Sequence, residues 1–587
     1  MNVYEMNIMN ILKETTLKTQ REIVNESGYS VGKVNISVRN LIEQGYLNKE
    51  LEVTEKGNVL FEQRKPKQAV ILAAGIGMRM VPINTEQPKG LLEVNGEALI
   101  ERIIQQLHSV GIYQIKIVVG FMKEKYEYLI DQYGVELVYN KDYYTRGNLY
   151  SLARVKESLD NVYIIPCDIW CKDNPFHKQE LYSWYMVSEE KDEESTVKIN
   201  RKLELKLIKE EEFGNRMIGI AYLCGEKVVQ LKENLEKMIK QKKYHHSFWE
   251  DAAMLQDKMI LAPRETKKGA VYEINTLEQL RDLDENSNQL NSCAIETIVK
   301  LLHCDIKDIS EIEALKKGMT NRSFRFRCGK KRYIMRIPGE GTDKMINREH
   351  EFEVYQTVAK EGICDPVCYI SPKNGYKITE FLEEARVCNP ENENDVKKCM
   401  SYLKTMHEKH LKVEHTFDLF GEIERYESYW GDESSIFGDY KKTKENVYKL
   451  KAYVDAQEKD WTLTHIDAVP DNFLFANDRI YLIDWEYSGM QDPHVDIAMF
   501  AIYAMYDRGH VEKLIDAYFD GQCSLQVRIK IYCYIAICGL LWSNWCEYKR
   551  MCGVEFGEYS LQQYRYAKEY YKIVEQEWKN LEEQEDE

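Results

Sequence analysis

From Gln68 onward the chain alternates short runs of apolar, β-branched residues with helix-length amphipathic segments. "AVILAAGIGMRM", "IKIVVGF", "VELVYN" and "VYIIPCD" read as strands, and "LIERIIQQLHSVGI" reads as a helix between the first two. Alternation of this kind predicts an α/β domain with a largely parallel sheet. The pattern runs over residues 67–286 and closes at "GAVYEINTLEQLRDLDEN". A chain of 587 residues exceeds what one hydrophobic core can organise, so this domain must have neighbours.

Residues 1–64 have a different rhythm. "NIMNILKETT", "TQREIVNESG" and "SVGKVNISVRNLIEQG" have helical periodicity, and "ELEVTEKGNVLFEQ" is expected to be hairpin-like. Three helices and a hairpin resemble a winged helix-turn-helix domain, whose third helix would enter a major groove. Eight Lys/Arg against nine Asp/Glu up to Arg64 leave this segment nearly neutral, and Lys33 and Arg39 are the only basic residues on the supposed reading helix. A DNA partner and a protein partner therefore both remain open. "RKPKQ" at 64–68 reads as a linker.

After a polar join near 285–292, the segment 292–587 begins with strand-like "YIMRIPG" and charged "NREHEFEVYQTVAKEG", then turns mainly helical. That order predicts a small β-rich lobe followed by a larger helical lobe. The fold class is thus multidomain α/β.

Composition narrows the function. A net charge of −17 argues against general attraction to phosphate backbones. The strongest apolar run, "IYCYIAICGLLW" from Ile531, falls short of the ~20 residues a membrane span needs and reads as a buried helix. Fifteen cysteines with no Cys-x-x-Cys, and an N-terminus without a secretory pattern, lead us to expect a cytoplasmic protein with reduced thiols.

Gly75 and Gly77 follow a buried strand, where a missing Cβ lets backbone N–H groups approach phosphate. The third glycine of a dinucleotide fingerprint is absent, which disfavours a Rossmann cofactor site. Arg79 and, ten residues on, Lys89 in "QPKGLLEVNGEALIERII" supply cations for a triphosphate. Together these resemble the signature of sugar-nucleotide pyrophosphorylases and, more closely, of bacterial CTP:phosphocholine cytidylyltransferases, with a Rossmann-like nucleotidyltransferase fold. The resemblance implies that Gly75, Gly77 and Arg79 cradle the triphosphate, that Lys89 stabilises charge at the attacked phosphate, and that Asp168 binds Mg2+. The family's second metal carboxylate is replaced by Asn275 in "VYEINT", an uncharged oxygen donor. Glu273 alternates to the other face of that strand. In "SFWEDAAM", Trp249 and Glu250, with Asp251 beside them, are candidates for the phosphocholine head group.

A second constellation lies near the C-terminus. "LTHIDAVPDNFLF" has Asp467 and Asn472 five apart, and "YLIDWEY" puts Asp484 twelve residues further on. An Asp that orients or deprotonates a hydroxyl, with an Asn and a second Asp on metal, is the kinase arrangement, and no Walker A motif competes with it. Gly318, Thr320 and Asn321 in "KKGMTNRSFRF" would tip a hairpin over ATP. Arg336 stands where kinases present lysine, and Glu351 or Glu349 would reach it from the next helix. Arginine there, with "IDWEY" and the helical C-terminus, resembles choline and ethanolamine kinases over about 295–580, which implies a protein-kinase-like two-lobed α+β fold.

Within that resemblance, Trp542 and Trp545 of "GLLWSNWCEYK" fall where the family builds its quaternary-ammonium pocket. At i and i+3 both indoles face one way, and cation–π attraction suits a cation with no hydrogen to donate. Glu486 would add a carboxylate. The two resemblances imply a bifunctional enzyme: ATP phosphorylates choline to phosphocholine, which CTP converts to CDP-choline. One competing reading joins a sugar-1-phosphate nucleotidyltransferase to a sugar- or aminoglycoside-type kinase. Another is a transcriptional regulator that senses choline or nucleotide, against which the intact Lys89, Asp168, Asp467, Asn472 and Asp484 count.

Overall fold

In a computed structural model describing every residue except 16, 18, 209–211, 288–289, 291, 316–320, 340–341, 343–344, 432–433, 552–555 and 586–587, one seven-stranded sheet holds the four strands expected after Gln68 and three more that were not. They are β1 (Gln68–Ala73), β2 (Gln114–Val119), β3 (Glu136–Tyr139), β4 (Val162–Pro166), β5 (Trp184–Asp192), β6 (Gly214–Leu223) and β7 (Ala262–Thr266). The spatial order is β7-β5-β6-β4-β1-β2-β3. β1 runs parallel to β2 and β4, and β2 parallel to β3. β6 is antiparallel to both its neighbours, so the sheet is mixed on that side. Every residue of β1 is buried, which is why its sequence is continuously apolar rather than alternating. The chain leaves β1 toward β2 on one side and returns to β4 on the other. The loops after β1 and β4 therefore open side by side at a switch point, where α/β sheets hold ligands.

The chain divides into two units, Met1–Thr297 and Ile298–Glu587. The first unit also contains α1 (Val3–Glu14), α2 (Gln20–Ser27), α3 (Val31–Glu43) and α4 (Glu55–Arg64). The first three match the helices read from sequence, but the expected hairpin is reduced to a single antiparallel bridge, Leu47 to Val53, and residues 55–64 are helical. Thr54 caps that helix by accepting the N–H of Gly57. A Cβ at residue 57 would lie 2.9 Å from the Tyr46 carbonyl oxygen, so this close approach requires glycine.

Nor is 64–68 a free linker. Tyr222 donates to the Arg64 carbonyl, Lys67 N–H donates to the Asn161 carbonyl at 2.9 Å, and the Asn161 amide donates to the Gln63 carbonyl at 2.8 Å. Ile8, Val38 and Phe61 share one apolar cluster with Ile71, Ile104 and Tyr163 of the α/β domain. The helices and the sheet are fused by packing.

A polar seam supports that contact. Tyr182 donates to Asn7 Oδ1 at 2.6 Å. Beside it Arg264 stacks on Trp184 at 3.9 Å and forks Glu180 at 2.6 and 2.8 Å, with Glu180 only 1% exposed. Breaking a buried pair from one side leaves a charge without compensation, so Glu180→Gln is expected to destabilise the first unit by about 3–5 kcal/mol, measured by chemical denaturation.

In the second unit β8 (Ile309–Ala314), β9 (Asn321–Cys328), β10 (Lys331–Pro338), β11 (Val367–Ile370) and β12 (Lys377–Glu380) form an antiparallel sheet ordered β8-β9-β10-β12-β11. α5 (Arg348–Val358) follows β10, and the rest is mainly helical. α6 (His494–Tyr503), α7 (Leu525–Met551) and α8 (Glu558–Glu585) frame its core. By length and composition α7 would cross a membrane, but most of it is buried among the other helices. At Gly539 a Cβ would lie 2.8 Å from the Gln563 carbonyl oxygen, so α7 and α8 meet backbone to backbone there.

Candidate functional site

The first site lies at the switch point. Gly77 adopts a left-handed conformation (φ +67°), which favours glycine, and a Cβ on Gly75 would meet nothing within 4 Å, so the fold itself does not demand glycine at 75. The fully buried Asn84 holds the turn by donating to the Ile76 and Gly77 carbonyls at 3.3 and 3.2 Å. Asn84 was not singled out from sequence, and nothing in its neighbourhood marks it.

Asp168 and Asn275 meet because Val271–Glu273 pairs antiparallel with Ile169–Cys171, and Ile274 N–H donates to the Asp168 carbonyl at 2.9 Å. Lys89 donates from Nζ to Asp168 Oδ2 and, at 2.6 Å, to Asn275 Oδ1. Arg79 donates to the same amide oxygen at 3.2 Å. Residues far apart in sequence thus form one cluster, in which a carboxylate and an amide oxygen converge on a single cation. Glu273 lies 3.9 Å from Arg216 instead.

Trp249 opens a short helix, Trp249–Ala252, and is 1% exposed, with its ring 5.9 Å from Tyr185 in the core. Glu250 accepts from the Tyr185 hydroxyl at 3.1 Å, while its other oxygen has no partner. Burial pushes its carboxyl up to about 7. A carboxyl raised on folding contributes stability that is fully present below its unfolded value near 4.5 and is lost as pH rises through about 7. The wild type is therefore expected to lose up to about 3 kcal/mol between pH 4.5 and 8 through this group, and Glu250→Gln to abolish that part of the decline in denaturation midpoints.

The second site is built around the loop after strand Thr462–Thr464. Ile466 is held at φ +70° and Asp484 at φ +69°, left-handed conformations costly for non-glycine residues and typical of functional loops. Asp496, at the start of α6, accepts from the N–H groups of His465 (3.0 Å) and Ile466 (2.7 Å) and so fixes the loop. Asn472 turns its amide onto Asp467, donating to the carbonyl at 2.8 Å and to Oδ2 at 3.2 Å. Enclosure, then the negative charges of Asp484 and Glu486, hold the Asp467 carboxyl well above the usual carboxylate range.

Arg336 on β10 forks Glu351 of α5 at 2.5 and 2.9 Å, both nearly fully buried, while Glu349 is exposed. Glu486 lies 3.7 Å from Arg336 and 3.9 Å from Arg348, so it balances arginines as well as facing the cavity described next. β8 and β9 form the hairpin expected over the nucleotide. Gly318 and Thr320, expected at its tip, lie outside the described residues, and Asn321 begins β9 with its backbone paired to Pro338.

A cavity of about 510 Å³ opens beside Asp467, Asp484 and Glu486. Its remaining wall is aromatic: Tyr487, Tyr503, Trp542, Trp545, Phe556 and Tyr559, with Met505. Ring contacts run continuously from Tyr503 to Tyr559 (6.0 Å), Phe556 (6.3 Å), Trp545 (5.0 Å), Trp542 (6.1 Å) and Tyr487 (5.6 Å). Trp542 and Trp545 were read from sequence. Tyr487 ends the quoted "IDWEY" and had a signal, whereas Tyr503, Phe556 and Tyr559 had none.

A nucleotidyltransferase site and a kinase-like site thus share one chain. Sequence profiles agree: residues 69–186 match the MobA-like NTP transferase domain, and residues 312–517 match the choline/ethanolamine kinase family. The choline-phosphate cytidylyltransferase of Streptococcus pneumoniae is 30% identical over 37% of this chain and 97% of its own length. The chain therefore belongs, through this segment, to the choline-phosphate cytidylyltransferase family. Protein LicA of Haemophilus influenzae is 28% identical over 42% of this chain and 75% of its own. The crystal structure of the choline kinase LicA from Streptococcus pneumoniae superposes with a TM-score of 0.42 at 28% identity, over 48% of this chain and 99% of that one.

Proposed function

We propose that the chain makes CDP-choline in two consecutive steps. In the first, the choline hydroxyl attacks the γ-phosphorus of ATP, giving phosphocholine and ADP. In the second, a phosphate oxygen of phosphocholine attacks the α-phosphorus of CTP, the α–β anhydride bond breaks, and pyrophosphate leaves. The cavity is the observation that carries this reading. Three carboxyl groups and six aromatic rings in one lining suit a small alcohol bearing a cation that donates no hydrogen bond.

In the kinase site Asp467 orients the hydroxyl and takes its proton, Trp542, Trp545 and Glu486 hold the cation, and Arg336 with Glu351 aligns the lobe that covers ATP. In the transferase site Gly75 and Gly77 admit the triphosphate, and Lys89 and Arg79 neutralise charge developing at the attacked phosphate. Trp249 and Glu250 are the candidates beside the phosphocholine head group, with Trp249 seated on Tyr185. Magnesium fits both donor sets, which are hard oxygens: Asp168 and Asn275 converge on one ammonium, and Asn472 and Asp484 flank the carboxyl of Asp467. When bound, it would neutralise phosphate charge.

The proposed domains are residues 1–64, 67–286 and 292–587. The first is a winged helix-turn-helix derivative that would dock DNA or protein through the exposed Val31, Lys33, Ile36 and Arg39 of α3. The free cysteines suit a reducing cytoplasm.

The test supplies choline, ATP, CTP and magnesium and looks for CDP-choline. Asp467→Asn should slow phosphocholine formation by about 100-fold or more while still converting supplied phosphocholine, and Lys89→Ala should do the reverse. Equal loss of both steps in each folded variant would refute this division. Trp542→Ala should raise the choline KM about tenfold with little change for ATP, as loss of a desolvated cation–π contact requires.

A further inference from the structure

The aromatic wall has two ends, and they are fixed differently. Tyr487 follows Glu486 directly, so the chain itself ties it to the Asp484 loop. Trp542 and Trp545 stand on α7, and Tyr559 is the second residue of α8, both core helices. Tyr503 is the last residue of α6, where the helix gives way to Met505 at φ +53°. Helix ends fray, and a ring there needs a further restraint.

That restraint comes from the catalytic turn. The Tyr503 hydroxyl donates to Asp471 Oδ2 at 2.8 Å. Asp471 sits in the turn Pro470–Asn472, one residue before Asn472 and four after Asp467. Its carboxylate does not line the cavity. A charged acceptor makes this O–H···O bond stronger than a neutral one, although solvent exposure limits its worth.

We propose that Asp471 is a positioning residue for the substrate cation: it holds the Tyr503 ring against the cavity and so ties the far end of the aromatic wall to the turn that bears the catalytic groups. This rests on the reading of the cavity as a cation site. Asp471 acts through Tyr503 and makes no contact of its own with the cation.

The experiment measures choline KM and ATP KM, and choline Kd by calorimetry without ATP, for the full chain and for Asp471→Ala, Tyr503→Phe, the double variant and Asp471→Asn. Removing either partner should raise choline KM and Kd about three- to tenfold, with ATP KM moving less. The double variant should be no worse than the singles, since one interaction is lost in all three. Asp471→Asn, which keeps an acceptor oxygen, should recover much of the affinity. Unchanged choline Kd in both single variants would overturn the proposal. So would losses that add in the double variant, which would place Asp471 on the cation itself, or equal losses for choline and ATP, which would mean a disturbed turn. Wild-type protein that neither binds nor phosphorylates choline would overturn the assignment of the cavity, and the positioning role with it.

Discussion

Arg336 and Glu351 face each other through two hydrogen bonds where side chains are 5% and 1% exposed. Neither charge can be buried alone, because an uncompensated ion loses several kcal/mol of hydration. Arg348 donates to the same carboxylate at 3.1 Å, and Glu486 lies within 4 Å of both guanidinium groups, so two positive and two negative side chains balance. That balance joins the sheet strand, the helix behind it and the loop bearing Asp484. The first unit solves the same problem on a smaller scale, with the Lys89 ammonium between Asp168 and Asn275.

Strain is the complement of this balance. Ile466 and Asp484 both sit at left-handed φ, and a branched residue such as Ile466 adopts that conformation only when its surroundings insist. Asp496 insists, by accepting both N–H groups of the distorted stretch. The loop that carries Asp467 is thus held in one conformation by the protein's own hydrogen bonds.

What was legible in the sequence was whatever depends on neighbours along the chain. The glycine turn, Arg79, Lys89, Asp168 and the Asp467–Asn472 spacing are local patterns, and the sheet follows from the apolar runs. Convergence was less legible: the ladder that seats Asn275 beside Asp168 is a tertiary pairing, and Tyr503, Phe556 and Tyr559 are drawn from a chain with 40 tyrosines and 17 phenylalanines, none marked by spacing. The stretch 50–63 misled because Val53 and Thr54 favour strand while Gly57 suggests a turn. Its helix depends on Thr54 as a cap and on the tight fit of Gly57 against Tyr46, which no pattern announces.

Gly539 stands one helical turn before Trp542, where α7 and α8 touch through their backbones. The rings of the wall are divided between these two helices and their neighbours, so the gap at Gly539 also gauges the cavity. A single added methyl there would meet the Gln563 carbonyl and press the two helices apart, straining the packing behind the cavity without altering any residue that lines it.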